Sequence, residues 1–165
     1  MSKIIAIDYG SKRVGVAISD PENKIAFALT TISTELVLKY IIDLVTAEKT
    51  SIVVIGFPVN LDGSLNDISH EINVFINKLS QKIPEIIIKK YDERFTSVIA
   101  KKTILNSGIG KQKRQNKSLV DKVSATIILQ SYLDSLQRNR IVNQIHEIIL
   151  KTCNLMDCLP MYLWH

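Results

Sequence analysis

The first third of the chain alternates apolar and polar residues with the period of two that β-strands show. This pattern predicts three strands, at residues 3–8, 14–19 and 25–32. Segments rich in Gly, Ser, Pro, Asp and Asn separate them at residues 10–12 and 20–23, and these residue types favour tight turns. We therefore expect an antiparallel meander of three strands.

Helical and strand-like patterns alternate after this meander. Helices are predicted at about residues 34–45, 66–79, 96–105 and 118–137, and strands at 51–55 and 86–91. Residues 138–151 could continue the last helix as an amphipathic one. Thr34 is a candidate N-cap for the first helix. The strand at 51–55 is apolar almost throughout, which favours a central position in the sheet.

These elements predict an α/β fold, in which a mixed five-stranded sheet is flanked by helices. The antiparallel meander supplies three strands, and the first, fourth and fifth strands should be parallel and central. Ligands bind at the carboxyl ends of the strands in open sheets of this kind. We therefore expect the functional residues to lie at that edge of the sheet.

Three acidic residues fall at this edge or near it. Asp8 ends the first strand, Glu93 follows the fifth, and Asp121 lies in the first turn of an apolar helix. A carboxylate at the end of a buried element needs a cation or several hydrogen-bond donors. The pattern favours a site for a hard divalent metal and, with it, metal-assisted hydrolysis.

Each acid also has a purely structural interpretation. Asp8 could hydrogen-bond the backbone of the turn that follows it. Either Asp92 or Glu93 could face the site, because adjacent strand residues point to opposite faces, and Glu93 could simply pair with Arg94. Asp121 could complete a capping box with Ser118. The residues alone leave these alternatives open.

The basic composition makes a polyanionic partner a candidate, although this net charge also fits many other proteins. The 165 residues carry a net charge of +5, and 46% of them are hydrophobic, which is enough for a core. A basic segment precedes the last core helix, and it could hold phosphates or could be ordinary solvated charge. Its cations are Lys111, Lys113, Arg114 and Lys117. Asn60, in the loop after the fourth strand, is a further candidate contact to a nucleic acid. No apolar run reaches the roughly 18 residues of a membrane span, and we expect no signal peptide.

Four short segments together resemble the YqgF family of small bacterial proteins. The matching segments are Ile7-Asp8-Tyr9-Gly10 with Arg13-Val14-Gly15-Val16-Ala17, Gly56-Phe57-Pro58-Val59-Asn60-Leu61-Asp62-Gly63-Ser64, Asp92-Glu93-Arg94-Phe95-Thr96-Ser97, and Lys117 with Val120-Asp121-Lys122-Val123-Ser124-Ala125. The resemblance covers roughly residues 3–136, and the order and spacing of the segments make it specific. It implies an RNase H-like fold, and members of the family are described as Holliday junction resolvases.

The resemblance also implies which residues act. Asp8, Glu93 and Asp121 would be the active-site acids and the metal ligands, with Glu93 rather than Asp92 facing the metal. We expect two divalent ions, Mg²⁺ or Mn²⁺, bridged by Asp8, with Arg94 and the basic segment holding phosphates. The implied activity is phosphodiester hydrolysis in the cytoplasm, in 5′-end processing of pre-16S rRNA.

Three other functions remain open at this stage. The first is a resolvase that acts on branched DNA as a two-fold dimer, whereas an RNA nuclease could be a monomer. The second is a non-catalytic nucleic-acid-binding module. The third is an ATP-dependent phosphotransferase, because the segment 8–11 is similar to the first phosphate loop of the actin and hexokinase group. We expect one nuclease domain at residues 1–137 and a C-terminal extension of unknown role at 138–165.

Overall fold

A computed structural model describes residues 2–58, 67–92 and 117–157. The strands are β1 (Ile4–Tyr9), β2 (Arg13–Ser19), β3 (Ala26–Ser33), β4 (Ile52–Phe57) and β5 (Ile87–Asp92), and the helices are α1 (Val37–Glu48), α2 (Asp67–Lys82) and α3 (Lys117–Asp157). The helix predicted at residues 96–105 lies outside the described residues. Every other predicted element is present, with ends that shift by a few residues.

The five strands form one mixed sheet in the order β3-β2-β1-β4-β5. β1, β2 and β3 pair antiparallel, and β1, β4 and β5 pair parallel, so the predicted meander and parallel strands are confirmed. The expectation that β5 is central is wrong: within the described residues it lies at the edge of the sheet. Its sequence fits an edge position, because Lys89 and Lys90 are exposed and charged side chains discourage pairing with further strands.

The two faces of the sheet carry side chains of different size. Ile5 and Ile7 of β1 point to one face and pack in a core with α1 and α2. The alternate positions are small: Ala6 pairs with Ala17 of β2, and Gly15 pairs with Asp8. Small residues allow a helix to approach the sheet closely, and this is the face against which the start of α3 lies.

The start of α1 differs from the prediction. The N-cap is Leu36 rather than Thr34, and no side chain caps the helix. The Thr34 hydroxyl instead donates a hydrogen bond of 2.7 Å to the Gly10 carbonyl oxygen. Thr34 therefore fixes the β1–β2 turn, which a local capping pattern cannot reveal.

α3 includes the predicted helix at residues 118–137 and its possible continuation to residue 151, and it ends at Asp157. Gln130 anchors its first half to the meander: its side-chain oxygen accepts from the Ala26 amide at 2.9 Å, and its side-chain amide donates to the Lys24 carbonyl at 3.0 Å. The chain divides into two compact units, residues 1–133 and 134–165. The domain boundary at residue 137 stays a prediction. None of the helices in the described ranges combines the length and hydropathy that crossing a membrane requires.

Candidate active site

Asp8 lies near the carboxyl end of β1, at the end of the sheet where the parallel strands β4 and β5 also have their carboxyl ends. It is half-buried, and its partner across the ladder is Gly15 of β2. Because successive strand residues alternate, Asp8 points to the face of Ala6, away from the core that Ile7 joins. The carboxylate is therefore on the side of the sheet where α3 packs.

Gly15 brings Asp121 to the same place. A Cβ atom on Gly15 would overlap the Asp121 carbonyl oxygen and would lie 2.6 Å from the carbonyl carbon. The α3 backbone at Asp121 therefore rests directly on Gly15, and only glycine permits this approach. Asp8 pairs with Gly15 across the antiparallel ladder, in which facing Cα atoms lie about 4.5–5.5 Å apart. Asp8 and Asp121 therefore flank the same glycine.

An ion pair links Asp121 to the start of β2. Arg13 Nε donates to Asp121 Oδ2 at 2.9 Å, and the two side chains are 41% and 24% exposed. At this exposure the pair contributes at most about 1 kcal/mol. Ser118 lies in the first turn of α3, which begins at Lys117, and the capping-box interpretation of Asp121 stays a prediction.

The β1–β2 turn encloses a cavity of about 250 Å³ that opens beside this ion pair. It is lined by Gly10, Ser11, Lys12, Arg13 and Asp121. The turn is tight, because the Gly10 amide donates to the Arg13 carbonyl at 3.0 Å and a Cβ on Gly10 would lie 2.6 Å from that oxygen. The Thr34 amide also donates to the Lys12 carbonyl at 3.3 Å, so Thr34, which lies outside the turn, holds its shape through two hydrogen bonds.

A second cavity of about 330 Å³ lies on the opposite face of the sheet, against α1 and α2. Tyr9 lines it and packs against Phe75 with ring centroids 5.3 Å apart. Burial, and to a smaller extent the nearby Glu71 carboxylate, raise the pKa of the Tyr9 phenol. The phenol therefore stays protonated near neutral pH. None of the described residues that line this cavity is a predicted site residue.

The structure places two of the three predicted acids, Asp8 and Asp121, beside Gly15. Glu93 lies outside the described residues, and so do Asn60, Arg94, Lys111, Lys113 and Arg114. Lys117 begins α3, and its side chain is not among the described ones. In the described ranges, no group of three or more His, Cys, Asp or Glu side chains is placed to hold a metal.

Arg13 is the residue at this site to which sequence analysis gave no role. Its signal was its place in the matched segment 13–17, immediately after the turn that follows Asp8. A guanidinium at the mouth of a small cavity, paired with one carboxylate, is a candidate for binding phosphate. Gly15 was quoted in the same segment, and the close approach of α3 explains why a glycine is needed there.

Comparison with known proteins identifies relatives of the whole sheet-bearing part of the chain. The family model described as RuvX: Holliday junction resolvase matches residues 2–135. A relative from Porphyromonas gingivalis is 47% identical over 138 residues, which are 84% of this chain and 100% of that protein. Relatives from Phocaeicola vulgatus and Bacteroides fragilis are 47% and 44% identical over 135 residues, 82% of this chain and 97% and 98% of theirs. All three are named "Putative pre-16S rRNA nuclease".

A solved structure with the same fold is that of Thermus thermophilus RuvC in complex with a Holliday junction substrate. The superposition has a TM-score of 0.50 at 11% sequence identity and covers 78% of this chain and 92% of that one. At this identity the likeness establishes the fold alone, which is the RNase H-like fold that the motifs implied.

Proposed function

Because the chain belongs to the RuvX family, the YqgF family that its motifs resemble, we propose that it is a metal-dependent nuclease that processes the 5′ end of pre-16S rRNA. The relatives' names support the RNA substrate, and the family description supports the alternative of a Holliday junction in branched DNA. Both substrates are recognised largely through backbone and shape, so the sheet and its carboxylates fit either.

The observation that carries the proposal is the meeting of Asp8 and Asp121 at Gly15. Two acidic residues beside one glycine, near the carboxyl ends of the parallel strands, can supply the hard oxygen donors that Mg²⁺ or Mn²⁺ prefers. We propose that Glu93 completes the set of ligands. When bound, a divalent ion lowers the pKa of an attacking water and neutralises charge on the phosphate.

The chain's own residues determine where this chemistry takes place. Asp8 is held by ladder pairing within an inner strand, so its backbone is fixed. Asp121 is positioned by contact of its backbone with Gly15 and by the ion pair from Arg13. The backbones of these two acids are therefore held in place before a metal binds, which lowers the entropy cost of binding.

A nuclease assay on two substrates tests the proposal. A 16S precursor RNA and a four-way DNA junction would be incubated with wild-type protein, with and without Mg²⁺. We expect cleavage that requires Mg²⁺ and is abolished by Asp8→Asn. Asp20→Asn is a matched control, because Asp20 directly follows β2 at the opposite edge of the sheet and should leave cleavage unchanged.

The outcomes separate the alternatives. Cleavage of the RNA but not of the junction supports the rRNA nuclease, and the reverse supports the resolvase. Binding of either substrate without cleavage, in the presence of Mg²⁺ and Mn²⁺, would indicate a non-catalytic binding module. Activity that survives in Asp8→Asn would contradict the proposed site.

We propose that the basic segment before α3 contributes phosphate contacts together with Arg94 and Asn60. Replacing the four cations of the segment by Ala should weaken nucleic-acid binding and flatten its salt dependence by about 0.7–0.9 in log–log slope for each lost contact. The positions are Lys111, Lys113, Arg114 and Lys117. Cleavage at saturating substrate should largely survive, because the acids are unchanged. Equal salt slopes for the variant and the wild type would show that the segment is only solvated charge.

The proposal places the protein in the cytoplasm, where ribosome precursors are processed. The expected oligomeric state depends on the substrate. A resolvase that cuts two strands symmetrically would act as a homodimer, whereas an RNA nuclease could act as a monomer. Sedimentation of the protein with each substrate would distinguish these two states.

A further inference from the structure

We propose that the β1–β2 turn is a phosphate-binding site for the substrate strand, and that Arg13 exchanges Asp121 for that phosphate when a divalent ion binds the acids. This inference rests on the proposed nuclease function and assigns a role to residues 10–13. Its first support is the cavity of about 250 Å³ that these residues form with Asp121.

The lining of this cavity has the chemistry of an anion site. Lys12 and Arg13 supply two cations, and Ser11 supplies a hydroxyl donor. Among the described residues Asp121 is the single acid in the lining, and it is already paired with Arg13. In the described part of the chain no carboxylate pairs with Lys12. An ammonium without such a partner, on a turn of fixed shape, is available to a phosphate.

Arg13 is positioned to change partners. Its bond to Asp121 uses Nε, one of the five N–H donors of a guanidinium, and its side chain is 41% exposed. A divalent cation carries twice the charge of the guanidinium and competes for the same carboxylate. Because the exposed ion pair is weak, the cation can displace Arg13.

A displaced Arg13 remains beside the metal site. It begins β2, whose backbone is fixed by pairing with Ser33 of β3, so the guanidinium can travel only as far as its own side chain allows. Phosphate oxygens are then its natural partners, since the planar fork of a guanidinium matches them bidentately. The exchange would couple metal binding to substrate binding, because each ligand frees a group that the other needs.

Metal titration in the absence of nucleic acid tests the first half of the proposal. We expect Arg13→Gln to bind Mn²⁺ more tightly than wild type, by up to about fivefold in calorimetry, because the competing guanidinium is gone. Lys12→Gln is the matched control: it removes the same charge from the adjacent residue, which is not paired with Asp121, and should change the affinity less. Equal Mn²⁺ affinities for Arg13→Gln and wild type would overturn the exchange.

Nucleic-acid binding tests the second half. Affinity for a labelled RNA spanning the 5′ end of a 16S precursor would be measured with Ca²⁺ across a salt series. Arg13→Gln and Lys12→Gln should each weaken binding and reduce the log–log salt slope by about 0.7–0.9. Arg13→Lys should restore the slope but only part of the affinity, since it keeps the charge and loses the fork. Slopes equal to wild type in both Gln variants would overturn the phosphate site.

The two experiments also separate this inference from the proposed function. If the wild-type protein binds neither Mn²⁺ nor the RNA, the nuclease proposal itself fails. If the wild type binds both and the Gln variants behave like it, only the role of the turn fails. A purely structural role of Arg13 would lower thermal stability without changing Mn²⁺ affinity or the salt slope.

Discussion

Replacing Gly15 by Ala is the most direct test of how the two aspartates are brought together. The new methyl group would overlap the Asp121 carbonyl oxygen, and it would lie 2.6 Å from the carbonyl carbon, about 0.8 Å closer than the 3.4 Å at which ordinary contact begins. Both contacting groups are backbone, in β2 and α3, so no side chain can rotate out of the way. The helix must move away from the sheet.

The expected cost follows from this geometry. Overpacking costs about 1–3 kcal/mol, and a clash between two backbones belongs at the upper end, so we expect a loss of about 3 kcal/mol in unfolding free energy. For a chain of this size that corresponds to a fall in Tm of roughly 6–12 °C. The displacement also moves Asp121 relative to Asp8, and a shift of about 1 Å in a catalytic group can cost about 100-fold in rate.

The assay combines denaturant unfolding with cleavage kinetics at a temperature where the variant is fully folded. Ala28→Val is the control, because it enlarges an exposed residue on the adjacent strand β3. Its stability should stay within about 0.5 kcal/mol of wild type, and its activity should be unchanged.

Two results would refute the reasoning. Wild-type stability in Gly15→Ala would mean that α3 does not rest on β2 at this position. Lowered stability with full cleavage activity would mean that the placement of Asp121 is not critical, and the assignment of Asp121 to the site would lose its basis.

Three further predictions concern single side chains. Asp8→Asn should reduce cleavage to background while leaving the metal-free Tm unchanged or higher, because repulsion between neighbouring carboxylates is relieved; a clear fall in Tm would contradict this. Thr50→Val should leave stability unchanged or raise it by up to about 1 kcal/mol in denaturant unfolding, because Thr50 Oγ1 is buried without a hydrogen-bond partner among the described residues. The backbone amides of Ile25 and Lys24 donate to Asp20 and hold its pKa below its usual value, so its contribution is present above pH about 4 and is lost as the pH falls. The Tm difference between wild type and Asp20→Asn should therefore shrink between pH 6 and pH 2, and a constant difference would rule out this linkage.

Local patterns in the sequence determined the sheet. The alternation of Ile5 and Ile7 with smaller residues, and of Val14 and Val16 with Gly15, marks β1 and β2 and their two faces. This works because side-chain orientation in a strand has a period of two and is set by the backbone itself. The same logic placed Asp8 at the carboxyl end of β1, where the structure has it.

Local patterns misassigned residues whose partners are distant in sequence. Thr34 was predicted to cap α1, yet its hydroxyl bonds to Gly10, 24 residues away. The fifth strand was expected to be central, but β5 is an outer strand in the described sheet. The apolar run at residues 86–88 does not show which strands lie beside it, because strand order depends on contacts between distant parts of the chain.

The candidate site itself was decided by tertiary structure. Asp121 had a local interpretation as a cap and a functional one as a ligand, and the structure adds a bond to Arg13, 108 residues away, which neither interpretation included. Nothing in the spacing of two such residues predicts that contact. It exists because Gly15 has no side chain, which lets α3 settle on β2 and carries Asp121 to the strand end where Asp8 already lies.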